Sequence, residues 1–163
     1  MEREDVRKKE NDKEIVLTIG LPCAGKTTYI AENKEYESYE KLSRDELVLM
    51  LGNTDSYNEA WNKVDQGEVD RQFNALFKRY VVERKNIVID MTFLSKKSRN
   101  RILSIVPRGY KKTGIMFNTE LETIYARNSA REGKHIPEEV IEGMMKRFSV
   151  PTHVEFDTII WRF

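Results

Sequence analysis

The chain lacks a second cysteine and any long apolar run. Its 163 residues contain one cysteine, Cys23, which leaves no partner for a disulfide within the chain. No early apolar stretch has the length of a signal peptide or of a membrane-spanning helix. These absences predict a cytoplasmic protein with no membrane partner. One ordinary domain of this length buries about two-thirds of its unfolded surface without metals or disulfides.

Acidic residues are absent between Met91 and Thr119, although the net charge of the chain is only +1. The basic residues in this window are Lys96, Lys97, Arg99, Arg101, Arg108, Lys111 and Lys112. Such a window predicts a surface to which a polyanion could bind. The alternative is a basic helix face that serves solubility alone.

Strand-like and helix-like patterns alternate along the chain after a charged start. Residues 1–14 are mostly charged and are predicted to form a flexible tail, followed by one domain over 15–163. Short β-branched runs predict strands at 15–19, 86–92, 113–118 and 158–163, with a weaker one at 39–43.

Helical spacing of apolar residues predicts helices over about 57–85 and 137–148, with their apolar stripes in the core. Trp61 belongs to the first stripe, and Val140 and Met145 belong to the second. Alternating strands and helices predict an α/β fold, with a parallel sheet of about five strands and helices on both faces.

The stretch Gly20 to Thr27 matches a P-loop, which is glycine, any four residues, then Gly-Lys-Ser/Thr, between a strand and a helix. Lys26 is predicted to reach the β- and γ-phosphates of a nucleotide, and Thr27 to bind Mg²⁺. A plain glycine turn would explain neither residue. ATP and Mg²⁺ are therefore the predicted cofactors. The predicted nucleotide-binding residues of the loop are Gly20, Leu21, Pro22, Cys23, Ala24, Gly25, Lys26, Thr27 and Thr28.

Two carboxylates follow predicted strands, where ligands collect at the edge of a parallel sheet. Asp45 in LSRDEL is predicted to be a general base that takes a proton from an attacking hydroxyl. The alternative makes it a first-turn acid beside a capping box of Ser43 and Glu46. Asp90, at the end of NIVID, is predicted to support Mg²⁺, with a strand-end turn residue as the alternative.

Two arginines in YARNSAREGKHIP, Arg127 and Arg131, are predicted to share one face of a helix because they lie four residues apart. The segment containing Gly133 could hinge over the nucleotide and bring both arginines to the transferred phosphate. The alternative is a pair of solvated arginines on a surface helix. The chain is too short for most motor or transport ATPases, which favours a small kinase.

The chain resembles the kinase module of the polynucleotide 5′-hydroxyl kinase family in four motifs that occur in matching order: GLPCAGKTT, LSRDEL, VIDMTFLSKKSRNR and ARNSAREGKHIPEEVIEGMMKRF. The resemblance covers nearly all of the chain after Glu14. It implies transfer of the ATP γ-phosphate to the 5′-hydroxyl of DNA or RNA. It also implies the roles given above for Lys26, Thr27, Asp45, Asp90 and the two lid arginines.

One position departs from the family pattern. Phage members carry an arginine three residues after the general base, where this chain has Val48. The residues expected to contact nucleic acid in its place, together with Asp45, are Arg44, Lys96, Lys97, Arg99 and Arg101. Two other functions remain open: a zeta-toxin-like kinase for a sugar or nucleotide sugar, and a module that binds nucleic acid without transferring phosphate. No sequence feature indicates the oligomeric state.

Overall fold

Five parallel strands form the centre of the protein. The computed structural model describes residues 12–163. The strands are β1 (Lys13–Ile19), β2 (Glu40–Leu42), β3 (Ile87–Ile89), β4 (Tyr110–Phe117) and β5 (Thr158–Arg162). Their order in the sheet is β2-β3-β1-β4-β5, and every neighbouring pair is parallel. The predicted α/β fold with about five parallel strands is confirmed.

Seven α-helices connect or follow these strands within the described residues. They are α1 (Lys26–Glu32), α2 (Arg44–Gly52), α3 (Tyr57–Lys63), α4 (Gln66–Val82), α5 (Lys96–Leu103), α6 (Leu121–Ala130) and α7 (Glu138–Lys146). Within the same part of the chain, no helix combines the length and the apolar character needed to cross a membrane.

The central strand β1 is buried on both faces. Ile15, Leu17 and Ile19 are 0% exposed and pack in the cluster that contains α2, α3, α4 and α5 residues. Val16 points to the opposite face, where it packs with α1 and Tyr36. Because both faces are covered by helical segments, the strand carries a continuous apolar run rather than an alternating one.

The predicted helix over 57–85 is in fact two helices, α3 and α4. Asp65 separates them because its Oδ1 accepts from the backbone N–H of Gly67 at 2.8 Å and of Glu68 at 3.4 Å. A carboxylate in this position caps a new helix. The apolar residues of 57–85 therefore lie on two helices and do not form one continuous stripe. Trp61, predicted to lie in the core, is 44% exposed.

The apolar stripe predicted over 137–148 is only partly buried. Pro137 is the N-cap of α7, and Ile141 is 0% exposed. Val140 and Met145 are 43% and 38% exposed, so the prediction that the whole stripe lies in the core is wrong.

The predicted tail, 1–14, lies outside the described residues up to position 11. Its last two positions belong to β1, so the domain begins slightly earlier than predicted. Glu14 takes part in the sheet through its carboxylate, which accepts from the Tyr39 hydroxyl at 2.8 Å and from the Thr113 hydroxyl at 2.8 Å.

Arg99 on α5 is buried and paired, which contradicts its predicted role in contacting nucleic acid. Its side chain is 0% exposed, and its Nε lies 2.7 Å from Glu155 Oε1. Its Nη1 donates to the carbonyl oxygens of Phe93 at 3.0 Å and Leu94 at 3.1 Å. Sequence pattern did not distinguish this arginine from its solvated neighbours, because the acid that pairs with it is 56 residues away.

We expect Arg99→Met to lower the free energy of unfolding by roughly 3–5 kcal/mol, because Glu155 would keep its buried charge without a partner. Urea unfolding at neutral pH measures this loss. The control is Arg101→Met on the same helix, where the side chain is exposed and the change should stay within about 0.5 kcal/mol. Equal effects of the two substitutions would contradict the structural role of Arg99.

The same pair predicts a dependence on pH. Burial alone would raise the pKa of Glu155, but hydrogen bonds from Arg99 and Thr152 outweigh it and lower the pKa below its ordinary value. Stability from a carboxylate with a lowered pKa is present above its ordinary pKa and is lost as pH falls through the lowered value. The difference between wild type and Arg99→Met should therefore shrink in acid.

Candidate active site

The loop between β1 and α1 has two residues in left-handed backbone conformations. Cys23 has φ 63° and Gly25 has φ 91°. Gly20 is needed for a different reason, since a Cβ there would lie 3.1 Å from both the Cβ and the carbonyl oxygen of Phe117. The Gly20 N–H donates to the carbonyl of Thr92 at 3.0 Å. The loop is thereby held against β4 and the chain after β3, in a curved form suited to binding an anion.

Lys26, the first residue of α1, lies beneath the loop and is 8% exposed. Its Nζ donates to the carbonyl oxygens of Gly20 at 3.0 Å and Leu21 at 2.6 Å. Burial lowers the pKa of Lys26 to about 8, although the charges of Asp90 and Asp45 act in the opposite direction. The ammonium is therefore poorly solvated, and an incoming phosphate would stabilise its charge.

The two predicted magnesium ligands are in direct contact. Thr27 Oγ1 donates to Asp90 Oδ2 at 2.6 Å. The other carboxylate oxygen lies 3.2 Å from the hydroxyl of Thr18, a fully buried residue of β1 that also accepts from the Met91 N–H at 3.1 Å. Thr18 was missed from the sequence, because a threonine inside an apolar strand looks like any β-branched core residue.

This oxygen pair is chemically suited to Mg²⁺. Mg²⁺ prefers hard oxygen ligands and keeps several waters, so one carboxylate, one hydroxyl and the nucleotide phosphates suffice to bind it. Within residues 12–163, no three His, Cys, Asp or Glu side chains cluster as a metal site. Thr27 and Asp90 are therefore the side chains that would hold a magnesium ion bound together with nucleotide.

Asp45 lies in the first turn of α2, and its carboxylate is engaged by two side chains that the sequence did not indicate. Tyr57 donates its hydroxyl to Oδ1 at 2.9 Å, and the Lys134 ammonium contacts Oδ2. Burial, followed by the charge of Asp45, raises the pKa of Tyr57 above its ordinary value. The N-cap itself is Ser43, which accepts from the Glu46 N–H at 3.4 Å. Asp45 is therefore a first-turn acid beside a capping serine, as the alternative interpretation expects, and its carboxylate is in addition bound by Tyr57 and Lys134.

Lys134 belongs to a segment after α6 that is docked on α3. The Gly133 carbonyl accepts from the Asn58 N–H at 2.8 Å, and the Lys134 ammonium lies 4.4 Å from the centre of the Tyr57 ring. The side chain of Asn128, 1% exposed, bonds both the N–H and the carbonyl of Ile136 at 3.0 and 2.6 Å. These contacts hold the segment beside Asp45.

Arg127 and Arg131 reach the P-loop, but they do not share a helix face as predicted. Helix α6 ends at Ala130, and Arg131 has an extended backbone. Arg127 Nη1 donates to the Cys23 carbonyl at 3.0 Å, while Arg131 Nη1 lies 3.2 Å from Cys23 Sγ. The two guanidinium groups therefore converge on one loop residue from different backbone conformations.

The predicted nucleic-acid residues divide into two groups. Lys96, Lys97 and Arg101 are exposed on α5, whereas Arg99 is buried. Arg44 bonds Asp70 and Gln66 on α4. Val48, the position that departs from the pattern of the resembled family, is 0% exposed and faces the core in this chain.

Comparison with known proteins identifies both a family and several structural relatives. A sequence profile described as an AAA domain matches residues 15–151. The structure of the Pnkp1/Rnl/Hen1 RNA repair complex contains a chain that is 20% identical, with a TM-score of 0.67; the match covers 83% of this chain and 43% of that chain. The present chain therefore spans less than half of that relative.

Two kinases of small molecules are also similar in structure. A sugar kinase from Janibacter sp. HTCC2649 is 16% identical with a TM-score of 0.64, and the match covers 91% of this chain and 84% of that one. A gluconokinase from Sinorhizobium meliloti 1021 is 16% identical with a TM-score of 0.57, covering 93% and 82%. At such low identities, the structural similarity establishes a kinase-like P-loop fold only. It does not identify the molecule that would accept a phosphate.

We expect the affinity for ATP to fall as pH rises above about 8, because Lys26 becomes neutral in the free protein. Bound phosphates raise the pKa of the ammonium, so binding above this pH takes up close to one proton per nucleotide. Calorimetric titration in two buffers that differ in ionisation enthalpy measures the uptake. Lys26→Met should abolish it, and exposed Lys41→Met should not. Proton uptake that survives in Lys26→Met would assign the titration to another group.

Proposed function

The chain belongs to the AAA domain family, and we propose that it is an ATP-dependent kinase that phosphorylates the 5′-hydroxyl end of DNA or RNA. One observation carries the proposal. Asp45, held by Tyr57 and Lys134, follows β2, and the P-loop follows β1, so both lie at the carboxyl ends of strands of one parallel sheet. A carboxylate so placed can receive the proton of a hydroxyl that attacks a phosphate bound in the loop.

Each side chain of the site has a task in this transfer. Asp45 accepts the hydroxyl proton as the oxygen attacks the γ-phosphorus and the bond to the β-phosphate oxygen breaks. Lys26 and the arginines at 127 and 131 balance the negative charge that builds up on the phosphate oxygens. Mg²⁺, when held by Thr27 and Asp90, supplies further positive charge beside the phosphates. Arg127 and Arg131 already contact the loop through Cys23.

The exposed basic residues of α5 support a polyanionic acceptor. Helix α5 begins six residues after Asp90, on the chain that leaves the same sheet edge. Lys96, Lys97 and Arg101 face solvent there, in a stretch without acidic residues. A neutral sugar would gain nothing from such a cluster, whereas a phosphate backbone would bind to it.

A second candidate is a kinase for a sugar or another small hydroxyl compound. It is favoured by the finding that two of the five expected acceptor cations are not free, since Arg99 pairs with Glu155 and Arg44 with Asp70. Incubation with γ-labelled ATP and a panel of 5′-hydroxyl oligonucleotides, sugars and nucleosides separates the two. Label on nucleic acid alone supports the first proposal, and label on a sugar supports the second.

Asp45→Asn should lower turnover about 10²- to 10⁴-fold, because the amide cannot accept the proton. ATP affinity and melting temperature should stay near wild type, since Ser43 retains the helix cap. Single-turnover assays with a 5′-hydroxyl oligonucleotide measure the effect, and Glu46→Gln, exposed in the same turn, is the control. Full turnover in Asp45→Asn would remove Asp45 from catalysis. Absence of phosphate transfer by wild type would instead favour a module that binds nucleic acid without transferring phosphate.

Replacing Lys96, Lys97 and Arg101 together by alanine should weaken oligonucleotide binding and flatten its salt dependence. The slope of the logarithm of the binding constant against the logarithm of the salt concentration should change by up to about 2 for a single strand when three phosphate contacts are lost. The control removes the same charge at exposed Lys41, Lys78 and Lys85. KM measured across a salt series for both triple variants checks this. An equal slope in both would show that α5 is only a solvated helix face.

A further inference from the structure

Trp61 presents an aromatic ring to solvent on α3, where it is 44% exposed. Tyr57 lies four residues earlier, so both side chains occupy one face of the helix. Their ring centroids are 6.0 Å apart, and the ring planes are inclined by 41°. We call these two neighbouring rings the aromatic platform.

The aromatic platform borders the carboxylate to which the general base role was assigned. Tyr57 donates its hydroxyl to Asp45 Oδ1 at 2.9 Å. Trp61 neighbours Tyr57 on the same helix face, so the aromatic platform extends from this carboxylate to a solvent-exposed ring. In a 5′-terminal nucleotide, the base is attached to the ribose that carries the 5′-hydroxyl. A hydroxyl at Asp45 would consequently bring its own base to the platform.

Two cations lie against the same rings. The Arg44 guanidinium is 5.5 Å from the centre of the Trp61 ring, and the Lys134 ammonium is 4.4 Å from the centre of the Tyr57 ring. Both cations are also paired with carboxylates, Arg44 with Asp70 and Lys134 with Asp45, so they fix the positions of the rings. Aromatic rings on which bases stack are a feature of sites for single-stranded nucleic acid.

We propose that Tyr57 and Trp61 stack the nucleobase of the nucleotide that carries the acceptor hydroxyl. This proposal rests on the function proposed above and names the acceptor more closely. Every base has a π-face, so the platform accepts any base and discriminates against an end that has none. An unpaired 5′-terminal base is free to orient its ring on the platform, whereas a paired one is held in its duplex, so we expect the preferred acceptor to be an unpaired 5′ end.

The test compares an ordinary 5′-hydroxyl oligonucleotide with one whose first nucleotide lacks its base. In wild type, removal of the base should raise KM by about 5- to 150-fold, the range for loss of one stacked base. Trp61→Ala should raise KM for the ordinary oligonucleotide by a similar factor. In this variant, KM should be nearly the same for the oligonucleotides with and without the first base. Trp61→Phe, which keeps a ring, should restore much of the discrimination.

The matched control is Trp161→Ala on β5, which removes a tryptophan of equal exposure, 45%, from the far edge of the sheet. Its KM ratio for the two oligonucleotides should equal that of wild type. Affinity for ATP should be unchanged in all variants, which also shows that each is folded.

A second readout needs no catalysis. In the Trp161→Phe variant, Trp61 is the remaining tryptophan, because the chain contains two. The ordinary oligonucleotide should quench its fluorescence, and the oligonucleotide without a first base should not. Quenching by free sugars and not by oligonucleotides would overturn the proposal in favour of a sugar platform.

The possible outcomes distinguish failure of the platform proposal from failure of the proposed kinase function. If wild type phosphorylates no oligonucleotide, the proposed function fails and the platform proposal fails with it. If wild type phosphorylates oligonucleotides but base removal affects wild type and Trp61→Ala equally, only the platform is overturned. A preference of wild type for fully paired blunt ends over unpaired ends would likewise overturn it and leave the kinase function intact.

Discussion

The burial of β1 between two strands and two helical layers is the constraint on which the rest of the structure depends. β1 pairs in parallel with β3 on one side and with β4 on the other. Because both neighbours run in its direction, the chain leaves all three strands at one edge. The P-loop and Asp90 meet there, and β2, next to β3, delivers Asp45 to the same edge. The direction of the strands alone therefore brings these residues together at one end of the sheet.

Two kinds of contact join the segments that follow these strands into one site. Oxygen contacts join Thr27 to Asp90, and charged contacts bring Lys134 to Asp45 and two arginines to Cys23. The segment after α6 takes part in both charged contacts, so it links the P-loop to the carboxylate of Asp45. Movement of this one segment would alter both halves of the site together.

The strands and the P-loop were predictable from sequence because their signals are local. A β-branched run buried on both faces, and a glycine-framed loop before a lysine, can be recognised without knowing any distant contact. The helix break at Asp65 was missed because the apolar spacing continues through it, although an aspartate followed three residues later by glutamate, here Glu68, is itself a capping signal. Thr18, Lys134 and the burial of Arg99 were not predictable, since each depends on partners far along the chain. Their separations are 73 residues for Thr18 and Met91, 89 for Lys134 and Asp45, and 56 for Arg99 and Glu155.

The contacts between the chain after Asp90 and residues 149–155 also determine the order in which parts of the protein can fold during synthesis. The Leu94 carbonyl accepts from the Ser149 N–H at 2.9 Å, and the Lys96 N–H donates to the Ser149 hydroxyl at 2.8 Å. Glu155 neutralises Arg99 behind the same loop. The chain after Asp90 therefore cannot reach its final form on the ribosome until Ser149 and Glu155 have emerged from the exit tunnel. The P-loop is translated before these residues, so the chain that follows Asp90 gains its supporting contacts only after the P-loop has been made.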